Sequence, residues 1–160
     1  MDILDEDLIQ FWTILNKFHV KYIMVGGFAV NLYGYTRATN DIDLLLKDDV
    51  LNRKNLAKAF SELGYGDISF DQLQFVPGWT NFYVGTGIQL DIMTSLKGVD
   101  VSFDECLQMA PVAEIDGVKV PFLHINHLIA NKKSVNRSKD QIDVMELEKI
   151  KKILAERGSQ

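Results

Sequence analysis

The sequence predicts an α/β (α+β) domain in which helices flank β-strands, and three observations carry that expectation. Apolar residues recur at helical spacing near both ends of the chain. Short β-branched and aromatic runs, bounded by glycine and proline, lie between them. Two of those runs, Asp41 to Leu46 and Ile88 to Met93, are apolar strands that carry acids. With 160 residues, 47% of them hydrophobic, the chain suits one domain with a real core, spanning residues 1–160 and closed by helices from about 125 to 157.

The first helix is set by Leu8, Phe11, Trp12, Leu15 and Phe18 behind an acidic first turn. Val20 to Val25 reads as a strand ending in Gly26-Gly27, and Phe28 to Tyr33 as a brief helix stopped by Gly34. Backbone N–H groups at such a turn can approach a phosphate, because glycine has no Cβ and a helix start favours negative charge. After the strand Asp41 to Leu46, a helix capped near Asp49 turns Leu51, Leu56, Ala59, Phe60 and Leu63 inward and ends at Gly64. Residues 65–87 carry turn signals at Pro77-Gly78 and Gly85-Thr86-Gly87 around a strand-like piece, Trp79 to Val84, so hairpin strands are expected there. Ile88 to Met93 follows as a strand. Val112 to Ile115 and Val118 to Val120 flank Asp116-Gly117, the signature of a two-residue hairpin. Two helices close the chain, Ile125 to Val135 and Ser138 to Arg157, the second lined by Ile142, Leu147, Ile150 and Leu154. Arg157 to Gln160 reads as a frayed tail.

The acids point to chemistry. A strand directs alternate side chains to opposite faces, so Asp41 and Asp43 share a face with Cα atoms about 7 Å apart. Two converging carboxylates suit Mg²⁺, which is held by one or two carboxylates together with substrate phosphates. A lone carboxylate in an apolar strand is costly unless paired or bound to metal, which makes Asp91 the third candidate. The implied chemistry is transfer from a nucleoside triphosphate.

Composition narrows the alternatives. A formal net charge of −5 argues against a standing role as a nucleic-acid binder, because phosphate backbones are held by clustered Lys and Arg. The single cysteine, Cys106, cannot form an internal disulfide, and His19, His124 and His127 are not at zinc-ligand spacing with it. The N-terminus is acidic where a signal peptide would be basic, and no apolar run approaches a membrane span, so a soluble cytoplasmic protein is expected.

Taken in order, Gly26-Gly27, Asp41-x-Asp43 and Asp91 resemble the minimal nucleotidyltransferases of the polymerase-β-like superfamily. The segment Leu128-Ile129-Ala130-Asn131-Lys132, then Arg137-Ser138-Lys139-Asp140 and Asp143, is similar to that family's closing helical segment. The resemblance spans most of the chain. It implies the nucleotidyltransferase fold, a mixed central sheet flanked by helices. It also implies two divalent metals, Mg²⁺ or Mn²⁺, on Asp41, Asp43 and Asp91, and transfer of a nucleoside monophosphate with release of pyrophosphate. On this reading the three Asp residues are catalytic, while Gly26, Gly27, Arg37, Thr39, Lys132 and Arg137 bind the nucleotide. Many members have Gly-Ser where this chain has Gly-Gly, and Thr36 and Thr39 are the residues here that could replace the serine hydroxyl.

The acceptor hydroxyl stays open among RNA such as tRNA, a protein and a small molecule, and a homodimer could complete its wall. Short lincosamide-modifying members share Gly-Gly and a later Leu-Asp-Ile, as in Leu90-Asp91-Ile92, but often show His-Arg where Thr39-Asn40 stand here. The Lys132 to Asp143 segment looks closer to toxin or antitoxin members. Each feature also has a plainer reading. Lys132, Lys133, Arg137 and Lys139 fit a solvated helix face. Phe75, Trp79, Phe82 and Tyr83 fit either a core or a base pocket. The histidines and Cys106 receive no role. A different class of function is a catalytically silent module that binds a nucleotide or a protein partner.

Overall fold

Alternation along the two acid-bearing strands sorts their side chains onto opposite faces of one sheet. The computed structural model describes residues 5–39, 41–76, 81–85 and 87–158. In chain order the elements are α1 (Glu6–Lys17), β1 (Tyr22–Val25), α2 (Gly26–Leu32), β2 (Asp41–Leu46), α3 (Val50–Glu62), β3 (Asn81–Val84), β4 (Ile88–Met93), α4 (Phe103–Met109), β5 (Val112–Ile115), β6 (Val118–Pro121), α5 (Ile125–Val135) and α6 (Ser138–Gly158). The main sheet has the order β1-β2-β4-β3. β2 and β4 run parallel, while β1 and β3 are antiparallel to their neighbours, so the sheet is mixed as expected. The β5-β6 hairpin turns through Asp116 and Gly117, both at positive φ, as the Asp-Gly signal predicts. It reaches β1 through a Met24–Phe122 bridge and a 3.0 Å bond from the Leu123 N–H to the Met24 carbonyl.

The register pairs Ile42 with Leu90 and Leu44 with Ile92, and this face is fully apolar and buried. α1 and α3 cover it. Asp5 caps α1 by accepting from the Asp7 N–H at 2.8 Å, and Leu8, Phe11, Trp12 and Leu15 turn inward. The Trp12 ring stacks on Tyr22 with centroids 5.8 Å apart, and Phe60 of α3 meets Phe82 edge-on at 5.0 Å. Burying such side chains contributes roughly 1.5–3 kcal/mol each and anchors the sheet so that its other face can carry polar groups.

Several elements differ from expectation. The strand expected from Val20 begins at Tyr22, because the Val20 N–H closes the end of α1 on the Leu15 carbonyl. The helix expected from Phe28 begins on the glycines themselves. Leu51, expected inside, is exposed, and its neighbour Asn52 is buried instead. The Asn52 amide bonds the Lys21 N–H and the Lys21 and Lys47 carbonyls, at 2.7, 2.9 and 2.7 Å, and so ties the ends of β1 and β2 to α3. α4 is a helix beyond the expected set: Ser102-x-x-Glu105 is a helix-start signature, and the Ser102 hydroxyl accepts from the Glu105 N–H at 3.2 Å. On α6, Ile142 and Leu154 are exposed, while Asp140 and Asp143 are buried with Leu147. Of the aromatic quartet, Phe75 is core, Phe82 packs against it and Tyr83 is exposed. Trp79, the turns at Pro77-Gly78 and Thr86, Asn40 and the tail residues Ser159-Gln160 lie outside the described residues. Among the described residues no helix is long and apolar enough to cross a membrane.

Candidate functional site

The face opposite the core begins with the acids. Parallel pairing sets Asp43 directly beside Asp91 and Asp41 beside Gln89. Burial, then the neighbouring Asp91 and Asp41 carboxylates, push the Asp43 carboxyl up to about 6, and Lys132 and Lys139 only partly offset this. A site that holds two carboxylates side by side at that cost has the hard-oxygen chemistry of a divalent-cation site completed by phosphate and water oxygens. Among the described residues, however, no three carboxylate, histidine or cysteine side chains are grouped to enclose an ion by themselves. The donor set therefore fits a cation shared with a substrate better than a closed protein cage.

The glycine pair sits against these acids. Gly26 has φ +68°, and a Cβ there would lie 2.1 Å from Asp43 Oδ2. A Cβ on Gly27 would be 3.0 Å from Thr39 Oγ1 and 3.1 Å from Arg37 Nη2. The pair thus makes room for the chain's own Asp43, Thr39 and Arg37. Thr39 lines the same cavity, with its hydroxyl 3.3 Å from the Asp41 carbonyl that accepts its hydrogen bond.

Arg37 is held at both backbone and side chain. The Asn31 amide on α2 accepts from its N–H and donates to its carbonyl, both at 3.1 Å. Its guanidinium pairs with Asp143 through Nε–Oδ1 at 2.8 Å and Nη2–Oδ2 at 2.9 Å. Lys132 of α5 reaches Asp143 at 3.1 Å and Asp140 at 3.3 Å. The Arg137 Nε, Nη2 and backbone N–H all donate to Asp140, at 2.7, 3.1 and 3.0 Å. Burial alone would raise the Asp140 carboxyl, but the Arg137 bonds and the Lys132 charge hold it at about 2. A left-handed residue at the end of α5, Asn136 at φ 56°, breaks the two helices apart and aims Arg137 back at Asp140. The solvated-face reading is therefore wrong for Lys132, which is 4% exposed. It holds for Lys133, whose 3.3 Å pair with Glu148 is exposed.

These features surround one cavity of about 520 Å³. All nine residues singled out from the sequence line it: Gly26, Gly27, Arg37, Thr39, Asp41, Asp43, Asp91, Lys132 and Arg137. Thr36 does not, nor do the described members of the aromatic quartet, the histidines or Cys106. His124 instead caps α5, accepting from the Asn126 N–H at 3.1 Å. Lys97, just beyond the Asp91 strand and before the turn glycine Gly98, also lines the cavity although no motif marks it, as do Asn131 and Lys139. In an acidic chain, the wall brings Arg37, Lys97, Lys132, Arg137 and Lys139 together over the three acids. Asp140 and Asp143 pair with three of these five cations, so the wall juxtaposes both signs of charge rather than one.

Residues 5–159 match a family described as "Nucleotidyl transferase of unknown function" (DUF2204). No curated protein matches the chain. Among solved structures, the lincosamide antibiotic adenylyltransferase LnuA with lincomycin bound is similar at TM-score 0.60 and 15% identity, over 91% of this chain and 97% of that one. ANT(2'')-Ia in complex with adenylyl-2''-tobramycin is similar at 0.56 and 18%, over 95% of each chain. An antigenic nucleotidyltransferase-like protein from Paracoccidioides brasiliensis is similar at 0.54 and 19%, over 88% of this chain and 72% of that one. At these identities the likeness shows a shared fold.

Proposed function

Since this chain belongs to that nucleotidyltransferase family, of the minimal polymerase-β-like type, we propose that it transfers a nucleoside monophosphate from a nucleoside triphosphate to a hydroxyl acceptor, with Mg²⁺ or Mn²⁺, in the cytoplasm. The observation that carries this reading is the convergence of all nine candidate residues on one cavity, of a size that suits a nucleotide. Asp41, Asp43 and Asp91 would hold the divalent cation together with phosphate oxygens, and the ion would supply charge neutralisation at the α-phosphate and at the leaving oxygen. Asp91 would take the proton from the acceptor hydroxyl as its oxygen bonds to the α-phosphorus and the bond to the bridging oxygen breaks, freeing pyrophosphate. Thr39 Oγ1 would donate to a phosphate oxygen in place of the family's serine. Arg37, Lys132 and Arg137, each already oriented by Asp140 or Asp143, would turn their remaining N–H groups toward the phosphates.

The fold shared with two antibiotic-modifying enzymes favours a small-molecule hydroxyl as the first acceptor class to screen. tRNA and protein hydroxyls belong in the same screen. The test is calorimetric titration of the four nucleoside triphosphates, with Mg²⁺, into wild type and an Asp41→Ala/Asp43→Ala double variant, followed by an acceptor screen that detects labelled nucleoside monophosphate. Triphosphate binding lost in the variant, with label transferred by wild type, is the expected result. No triphosphate binding to wild type removes the proposal. Binding without transfer to any acceptor class favours the silent module.

A further inference from the structure

Three of the five cations lining the cavity already have carboxylate partners: Arg37 with Asp143, Lys132 with Asp140 and Asp143, and Arg137 with Asp140. Lys139 acts through its charge on Asp43. Lys97 is different. It is exposed at the cavity, and among the described residues it joins no ion pair. Nor is it among the charges that act on Asp43.

Its backbone, in contrast, is fastened to α5. Asn131 Nδ2 donates to the Lys97 carbonyl at 2.9 Å, and the Val99 N–H closes the turn on the Leu96 carbonyl at 3.2 Å. Gly98, at φ +83°, lies so close to α5 that a Cβ would stand 2.7 Å from the Ala130 carbonyl oxygen and 2.1 Å from Ser134 Oγ. No L side chain fits that space without moving the helix backbone. A turn this tightly seated presents a lysine from a fixed origin, which lowers the ordering cost of binding through it.

We propose that Lys97 is a donor-binding residue, whose ammonium takes a phosphate oxygen of the triphosphate from the β4–α5 side of the cavity. The assignment rests on the donor-site reading above and adds to it a residue that belongs to none of the motifs. A charge-assisted hydrogen bond of this kind is worth roughly tenfold or more in affinity. The experiment is calorimetric titration of inorganic pyrophosphate and of each nucleoside triphosphate, with Mg²⁺, into wild type, Lys97→Gln, Lys97→Arg and Lys133→Gln, with thermal unfolding of each variant. Lys97→Gln should bind both probes about tenfold more weakly at an unchanged Tm, Lys97→Arg should retain most affinity, and Lys133→Gln should match wild type. Equal affinity in wild type and Lys97→Gln overturns the assignment and leaves the donor-site reading standing. A lowered Tm in Lys97→Gln also overturns it, by showing a structural role. No binding of any triphosphate to wild type overturns both.

Discussion

Two groups of aspartates lie within one site and behave in opposite ways. On the sheet face, the Asp43 carboxyl is pushed up to about 6, first by burial and then by the repulsion of Asp91 and Asp41. On α6, Asp140 is wholly buried, yet it is held at about 2 by Arg137 and Lys132. Burial pushes both carboxyls up, and only at Asp140 do bonded cations reverse it. The difference teaches that partners decide whether a buried acid stays charged. On the proposed function it also divides the labour: acids left in mutual repulsion would take a cation with the substrate, while acids matched with Arg and Lys would hold the wall in shape.

The largest effect expected from this division is on turnover. Asp43→Ala should lower pyrophosphate release by about a thousandfold, roughly 4 kcal/mol of lost transition-state stabilisation, while leaving urea stability equal to wild type or slightly above it. A large loss of stability in that variant would break the division. Asp143→Ala should do the reverse first, costing about 3 kcal/mol in urea unfolding, because it strands Arg37 and Lys132 without their shared carboxylate. Unchanged stability there would mean the network is incidental.

A smaller effect comes from pH. The Asp140 carboxyl is depressed from an ordinary value of 3.8 to about 2 in the folded protein. Its stabilisation is therefore fully present above about pH 4 and is lost as pH falls through about 2, amounting to about 2 kcal/mol. Acid unfolding followed by circular dichroism should show that loss in wild type and a flatter profile over the same window in Asp140→Asn. The smallest effect sharpens the contrast between neighbouring lysines: Lys133→Gln, which breaks an exposed pair with Glu148, should change stability by less than about 0.5 kcal/mol.

Much of the fold could be read in advance because its signals are local. The hydrophobic spacing of α1, the Asp49 cap of α3, the Asp116-Gly117 turn and the acid-bearing strands each depend on a few neighbouring residues. Errors arose where a local pattern met a non-local demand. Leu51 fits a helical stripe, but unpaired backbone groups at the ends of β1 and β2 needed Asn52 inside, which turns Leu51 out. Ile142 fits the α6 stripe, but Arg37, distant in sequence, brings Asp143 inward instead. Nothing in the immediate sequence of Lys97 marks it; its fixed place at the cavity comes from Asn131 and the close approach of Gly98 to α5.

By itself the sequence determined which residues are candidates for the chemistry and the alternation that puts Asp41 and Asp43 on one face, since residue type and strand period are properties of the chain alone. Only the tertiary structure decided that Asp43 would lie beside Asp91, that Lys132 would be enclosed by two carboxylates, and that Lys97 would stand at the cavity with no ion-pair partner among the described residues. Electrostatic energy depends on distance and on solvent exclusion, and both are set when segments far apart in the chain are brought together.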